Sequence, residues 1–138
     1  MSSGTPSVAI SIKQPWAELI LSGRKTIEVR SWTTQHRGPL FLHAGAKPAN
    51  DALILFPELG KLTLGSFVGT MEIVDVELFT QTSWIREREN HLVPGPMPPE
   101  HFGWRLARVR RIEPIPGPGR LGLFPVPEKV RDKARERG

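Results

Sequence analysis

Alternating apolar and polar residues along the chain predict five or six short β-strands. The first candidate, residues 8–12 (VAISI), is rich in β-branched side chains that fit a pleated sheet. The other candidates are residues 26–32, 40–44, 66–79, 102–112 and 123–126. Within 102–112 Phe102, Trp104 and Leu106 share one strand face, whereas Ala107 and Val109 lie on the other, so we expect a β-bulge near Leu106 and Ala107.

Helical spacing is limited to short segments between these strands. Trp16, Leu19 and Ile20 are spaced i, i+3 and i+4 and would share one apolar helix face. Two further helix candidates are residues 48–59 and 83–90. Strands that outnumber short helices, with no internal repeat, predict an α+β fold: a small mixed β-barrel with two or three flanking helices. A β-sandwich is the alternative, but helices inserted after the first and third strands favour the barrel.

Length and composition place these elements in one domain, because 138 residues are too few for a second stable core. We expect a flexible leader (1–7), one domain (8–127) and a polar basic tail (128–138). The absence of Cys excludes disulfides, thiolate metal sites and a Cys nucleophile. No apolar run approaches the roughly 18 residues of a membrane span, so we predict a cytoplasmic protein that does not contact a membrane.

The four His residues show no metal-ligand spacing, and we predict no metal and no other cofactor. His43 lies within a strand candidate, where a half-buried residue with satisfied hydrogen bonds is the expected state. A monomer is favoured, although the sequence does not determine the oligomeric state.

The distribution of charge says more about function than the composition does. The net charge is +5, and six of the cations lie within the 35 positions of residues 13–47, interleaved with Trp16, Trp32 and His36. Cations neutralise phosphates and aromatic faces stack on unpaired bases, so this segment predicts a nucleic-acid-binding cleft. The alternative is a solvated basic face with two core Trp residues. We expect Trp16 in the core, and Trp32 either there or in the wall of the cleft.

The same segment carries a multi-part motif. It consists of QPWA at 14–17, GRKTIEVR at 23–30, SW at 31–32 and HRGPL at 36–40. These elements, in this order, resemble the ASCH domain (activating signal co-integrator homology), a member of the PUA-like superfamily, and GRLGLF at 119–124 looks like a later landmark of that family. The resemblance implies a pseudo-barrel with a cleft beside the first helix, and RNA, DNA or modified nucleosides as ligands.

The resemblance and the residue chemistry together give a candidate site. Nucleic-acid contacts are expected from Lys13, Gln14, Trp16, Lys25, Thr26, Glu28, Arg30, Ser31, Trp32, His36, Arg37, Lys47 and Arg120. Glu28 and Arg30 share one strand face, so a simple ion pair between them is an alternative. We therefore predict a module that binds RNA or single-stranded DNA and reads one base in a basic cleft. A protein-interaction domain that shares only the fold is a further alternative.

The resemblance also offers an enzyme as an alternative. Some relatives hydrolyse the acetyl amide of N4-acetylcytidine, and others are assigned ribonuclease activity. Lys25 would then be the base or nucleophile and Glu28 the proton carrier. Those amidohydrolases have Thr at the position of Glu28, and their distal acid has only candidates here: Glu72, Glu87 and Glu89. We therefore expect no amide hydrolysis.

Overall fold

The computed structural model describes residues 5–137, and it describes only the backbone of Arg137. The strands are β1 (Val8–Ile12), β2 (Ile27–Arg30), β3 (Gly38–Ala44), β4 (Ser66–Leu78), β5 (Phe102–Pro116) and β6 (Leu123–Pro125). The helices are α1 (Trp16–Leu21), α2 (Asn50–Leu53), α3 (Gln81–Arg86), α4 (Arg88–His91) and α5 (Glu128–Arg137), with a 3-10 turn at Pro57–Leu59. Each predicted strand is present, whereas the candidate helices at 48–59 and 83–90 are each divided in two.

One mixed sheet holds the strands in the order β2-β5-β4-β3-β1-β6. Strands β1 and β3 are parallel, and every other neighbouring pair is antiparallel. The predicted α+β class is confirmed, but the sheet is not a closed barrel. Its edge strands β2 and β6 have only four and three residues, and within residues 5–137 each pairs with a single neighbour.

Both faces of the sheet are covered, because successive residues of β1 and β3 point to opposite sides. On one face, Ile10, Ile12 and Leu42 pack with Ile20 of α1 in the first core cluster. On the other face the second cluster, which includes Phe41, Phe67, Phe124 and Val130, is covered by α5. The predicted polar tail thus contains a helix that buries an apolar side chain.

Strand β5 bends at a bulge beside the predicted position. Its pairing with β4 shifts between Ala107 and Arg110, which oppose Glu72 and Thr70, and Arg108 has a φ of 51°. Two residues of β5 here oppose one of β4, which increases the local twist.

None of the helices in residues 5–137 is long and apolar enough to cross a bilayer.

Candidate functional site

A cavity of about 900 Å³ opens where β1 ends and α1 begins. Four segments line it: the end of β1 with the start of α1, β2 with the residue Trp32, the stretch 43–49 after β3, and the 119–122 segment before β6. Parallel pairing of β1 with β3 brings the first and third of these segments together. The volume lies within the roughly 300–1,000 Å³ of typical small-ligand sites.

The cavity collects about half of the predicted site residues. Its lining includes Lys13, Trp16, Glu28, Arg30, Trp32, Lys47 and Arg120. The predicted residues outside its lining are Gln14, Lys25, Thr26, Ser31, His36 and Arg37.

Two of the residues outside the lining, Gln14 and Arg37, have structural partners instead. Gln14 is buried, donates from Nε2 to the Thr63 carbonyl at 3.0 Å and accepts from the Glu18 N–H at 2.8 Å, which fixes the start of α1. The guanidinium of Arg37 donates to backbone carbonyls of its own turn, at Thr34 and His36. Neither side chain lines the cavity.

Lys25 lies beneath the cavity, with a side chain only 1% exposed. Its Nζ donates to the His91 carbonyl at 2.5 Å, lies 3.8 Å from Glu28 Oε1 and sits 4.8 Å from the centre of the Trp16 ring. Burial lowers the pKa of Lys25 to about 8, and the Glu28 carboxylate opposes this shift. The amine therefore ties the turn before β2 to α4 and is shielded from solvent.

Glu28 and Arg30 form the polar floor of the cavity. Arg30 donates from Nε to Glu28 Oε2 at 2.8 Å and from Nη2 to the Ser11 carbonyl at 3.0 Å. Glu28 is buried and has a cation on each side, Lys25 and Arg30. The ion pair considered from the sequence is present, and it forms part of the cavity lining.

Two Trp residues form aromatic walls. Trp32 packs edge-to-face on Trp104, with ring centres 4.8 Å apart, and Trp104 Nε1 donates to the Trp32 carbonyl at 3.3 Å. Trp16 packs edge-to-face on Phe56 at 5.9 Å. Both Trp16 and Trp32 are partly buried against the first core cluster while lining the cavity, so each belongs to the core and to the wall.

Lys13, Lys47 and Arg120, hereafter the mouth cations, are exposed at the rim. Within residues 5–137 none of the three makes an ion pair or a side-chain hydrogen bond, in contrast with Arg30. Nearby Glu28 is already neutralised by its two partners. The rim therefore presents uncompensated positive charge that suits an anionic ligand.

The loop of residues 117–122 is held to the sheet by a serine–histidine pair that the sequence did not single out. His43 Nε2 donates to the Gly117 carbonyl at 2.8 Å, so Nδ1 is the acceptor and Ser11 Oγ donates to it at 2.9 Å. His43 is 1% exposed, and burial lowers its pKa, which keeps the ring neutral. Expected to be half-buried, His43 is fully buried with both ring nitrogens satisfied.

Gly119 completes this anchor by close approach. A Cβ at this position would lie 2.7 Å from both Ser11 Oγ and His43 Cε1, so only glycine fits. The contact holds the loop against Ser11 and His43, which both also line the cavity, so the pair anchors the loop to the sheet. The GRLGLF stretch was the sequence signal for this wall, although only Arg120 was selected from it.

The acids considered for hydrolysis lie elsewhere. Glu72 pairs with Arg108, and Glu87 forms hydrogen bonds with Asn90 and Arg105. Neither of these acids lines the cavity, and Glu89 does not line it either. In the described part of the chain, no group of three His, Asp or Glu residues is placed to hold a metal ion.

The fold and the site define the class: an α+β PUA-like domain whose cationic cavity lies beside its first helix. The family model of the ASCH domain matches residues 10–116, and the chain belongs to the ASCH family. The resemblance seen in the motifs is thereby confirmed.

Relatives support the same assignment. The chain is 53% identical over 38 residues to activating signal cointegrator 1 of Homo sapiens and 50% identical over 38 residues to that of Mus musculus. These matches cover 28% of this chain and 6% of either relative. The crystal structure of ASCH from Zymomonas mobilis superposes with a TM-score of 0.68 at 15% identity, covering 94% of this chain and 93% of that one. A mutant of the same protein gives 0.67 at 14% identity, covering 96% of each chain.

Proposed function

We propose that this domain binds RNA or single-stranded DNA, with one base inside the cavity and the flanking phosphates on the mouth cations. The observation that carries the proposal is uncompensated charge at Lys13, Lys47 and Arg120 around a cavity with aromatic walls. Phosphate contacts supply affinity without reading sequence, and aromatic faces accept any base. The Glu28–Arg30 floor offers acceptors and donors to the edge of the bound base.

The decisive experiment removes the mouth cations together. We expect the triple variant Lys13→Ala, Lys47→Ala, Arg120→Ala to bind a labelled oligouridine or oligothymidine more weakly in fluorescence anisotropy. If each cation contacts one phosphate, the slope of log K against log salt falls by about 2, since each single-strand contact contributes about 0.7. All sequences tested should weaken alike, because phosphates carry no sequence information.

A matched control separates the cavity from overall charge. The triple variant Arg110→Ala, Lys129→Ala, Lys133→Ala removes the same charge from exposed positions outside the cavity. This control is expected to keep most of the affinity. Equal weakening in the two triples, or unchanged binding in the cavity triple, would contradict the assignment of the site.

The geometry gives less support to hydrolysis of a modified nucleoside or of an RNA phosphodiester. Lys25 has the lowered pKa that a base or nucleophile needs, but its amine is covered and bonded to the His91 carbonyl. Glu28 lines the cavity, but it is held by Arg30. We expect purified protein to release no acetate from N4-acetylcytidine. Robust release that disappears in Lys25→Ala would overturn this expectation.

A further inference from the structure

The tip of the 117–122 loop presents a leucine that packing within the domain does not explain. Leu121 is 98% exposed, lies between Arg120 and Gly122, and belongs to the lining of the cavity rim. Removing a leucine side chain from water is stabilising, and the isolated domain gains nothing from this at Leu121. Single exposed apolar residues are common on protein surfaces, so exposure alone decides nothing.

Position distinguishes Leu121 from the other exposed apolar residues. Ile54 and Ile85 are 76% and 67% exposed, yet neither lines the cavity. Leu121 instead follows Arg120, one of the mouth cations, and shares the rim with Trp32. If the cavity holds one nucleotide, the neighbouring bases of the same strand pass over the rim. An apolar side chain at position 121 would meet those bases.

The loop is built to hold that side chain in place. Its first residue is fixed twice, since the Gly117 carbonyl accepts from His43 and the Gly117 N–H donates to the Gly65 carbonyl at 3.1 Å. Gly119 packs directly on Ser11 and His43, and beyond the loop β6 pairs with β1. A wedge must be rigid to separate stacked bases, and these anchors on both sides of Leu121 provide that rigidity.

We infer that Leu121 is an apolar wedge that inserts into a base stack, at the step left open when the neighbouring nucleotide enters the cavity. The inference rests on the proposed function and narrows its ligand to a stacked strand with one weakly paired base, such as a duplex with a single-nucleotide bulge. Unstacking a base step by an apolar wedge costs free energy, and this cost is least where the base is already unpaired. Arg120, the preceding residue, then meets the phosphate beside the opened step.

The test uses a duplex with one bulged base and 2-aminopurine next to it, whose fluorescence rises on unstacking. Binding of the wild type should raise this fluorescence. Leu121→Ser should lose the rise and weaken binding to the bulged duplex by roughly tenfold, because the wedge surface is lost. Leu121→Met, which keeps a similar apolar volume, should restore both signals.

Two controls separate the wedge from its surroundings. Ile85→Ser removes another exposed apolar side chain, away from the cavity, and should behave as the wild type does. Unstructured oligouridine has little stacking to interrupt, so Leu121→Ser and wild type should bind it alike. If Leu121→Ser binds the bulged duplex with wild-type affinity and wild-type fluorescence, the wedge is wrong while nucleic-acid binding stands. If the wild type binds neither ligand, the proposed function itself fails, and the wedge with it.

Discussion

Two regions of this domain are rich in cations, but they use them in opposite ways. Around the cavity, the mouth cations have no acidic partner within residues 5–137. Along β5, Arg108 donates to Glu72 at 3.0 Å and Arg111 donates twice to Glu18, at 2.8 and 2.7 Å. Arg105 likewise reaches Glu87 at 2.6 Å. The sequence shows both as basic stretches, but within residues 5–137 three of the four β5 arginines pair with acids, whereas the mouth cations have no acidic partner.

The acids of the two regions differ as well. Glu72 and Glu18 lie in surface pairs with exposed arginines, where water screens the attraction and each pair is worth about 0–1 kcal/mol. Glu28 lies between Lys25 and Arg30 with its side chain 8% exposed, where removal of one charge leaves the other uncompensated. Pairing and burial, rather than the number of charges, therefore decide what each region can do.

The sharpest way to test this contrast applies one substitution in both regions. Glu28→Gln should lower the free energy of unfolding by about 3 kcal/mol, because buried Lys25 loses its compensating charge. Glu72→Gln, the matched control, should cost less than about 1 kcal/mol. Urea denaturation at pH 7 measures both, and equal effects would contradict the distinction.

A second prediction follows from the lowered pKa of Lys25. The unfolded chain keeps the lysine proton up to about pH 10.5, whereas the folded protein releases it above about pH 8. Between these values the unfolded state binds more protons, so the free energy of unfolding should rise with pH, by about 3 kcal/mol across the window. The chain has no Tyr and no Cys, which removes two other residue types that titrate in or near this window.

Unfolding midpoints recorded across that pH window would check the prediction. Lys25→Met, which keeps the bulk and removes the titrating amine, should lose the rise. Lys129→Met, at an exposed position of α5, should retain the rise in stability. A wild-type protein without any increase in stability across the window would show that Lys25 keeps its proton in the folded state.

A third prediction concerns the wall of the cavity. Gly119→Ala places a methyl group 2.7 Å from Ser11 Oγ and His43 Cε1, and overpacking of this kind costs about 1–3 kcal/mol. The displaced loop should also weaken nucleic-acid binding. Gly45→Ala serves as the control, because its methyl group would meet Ser11 Oγ at an ordinary 3.5 Å. Urea denaturation should show a loss of stability in the first variant only, and anisotropy should show its weaker binding.

The last prediction, with the weakest effect, concerns a double substitution that should make the β5 region resemble the cavity in its unpaired cations. Glu18→Gln with Glu72→Gln frees Arg111 and Arg108 from their partners. We expect little change in stability, but a steeper salt dependence of binding to duplex DNA, by up to about 2 in slope, if each freed cation meets a phosphate. An unchanged slope would indicate that the pairs do not limit those arginines.

Much of the fold could be predicted because local patterns determine it. All six strands follow from alternation and turn residues, and the bulge follows from the phase change after Leu106. Whether the sheet closes into a barrel could not be predicted, since closure depends on pairing between the edge strands β2 and β6, which are distant in sequence. On β4 alternation would place Val74 with Val68, but the shifted register leaves Val74 exposed while Met71 and Ile73 enter the core.

The site was predictable where it is continuous in sequence. Residues 13–47 supply most of its walls and all but one of its mouth cations. Ser11 and His43 carry no distinguishing pattern, because their roles arise only when residues 117–119 fold onto them. Lys25 shows the opposite error: its motif suggests an exposed functional amine, while packing against Trp16 covers it.

The placement of β6 beside β1 has a consequence for the order in which the domain is made. Strand β1 emerges first from the ribosome, yet its second neighbour is β6, which is synthesised near the end of the domain. A nascent chain that still lacks residues 117–125 has an unpaired β1 edge and no fourth wall on its cavity. The fourth wall of the cavity is therefore completed only when the last strand of the domain has been made, and until then the unpaired edge of β1 is open to pairing with another chain.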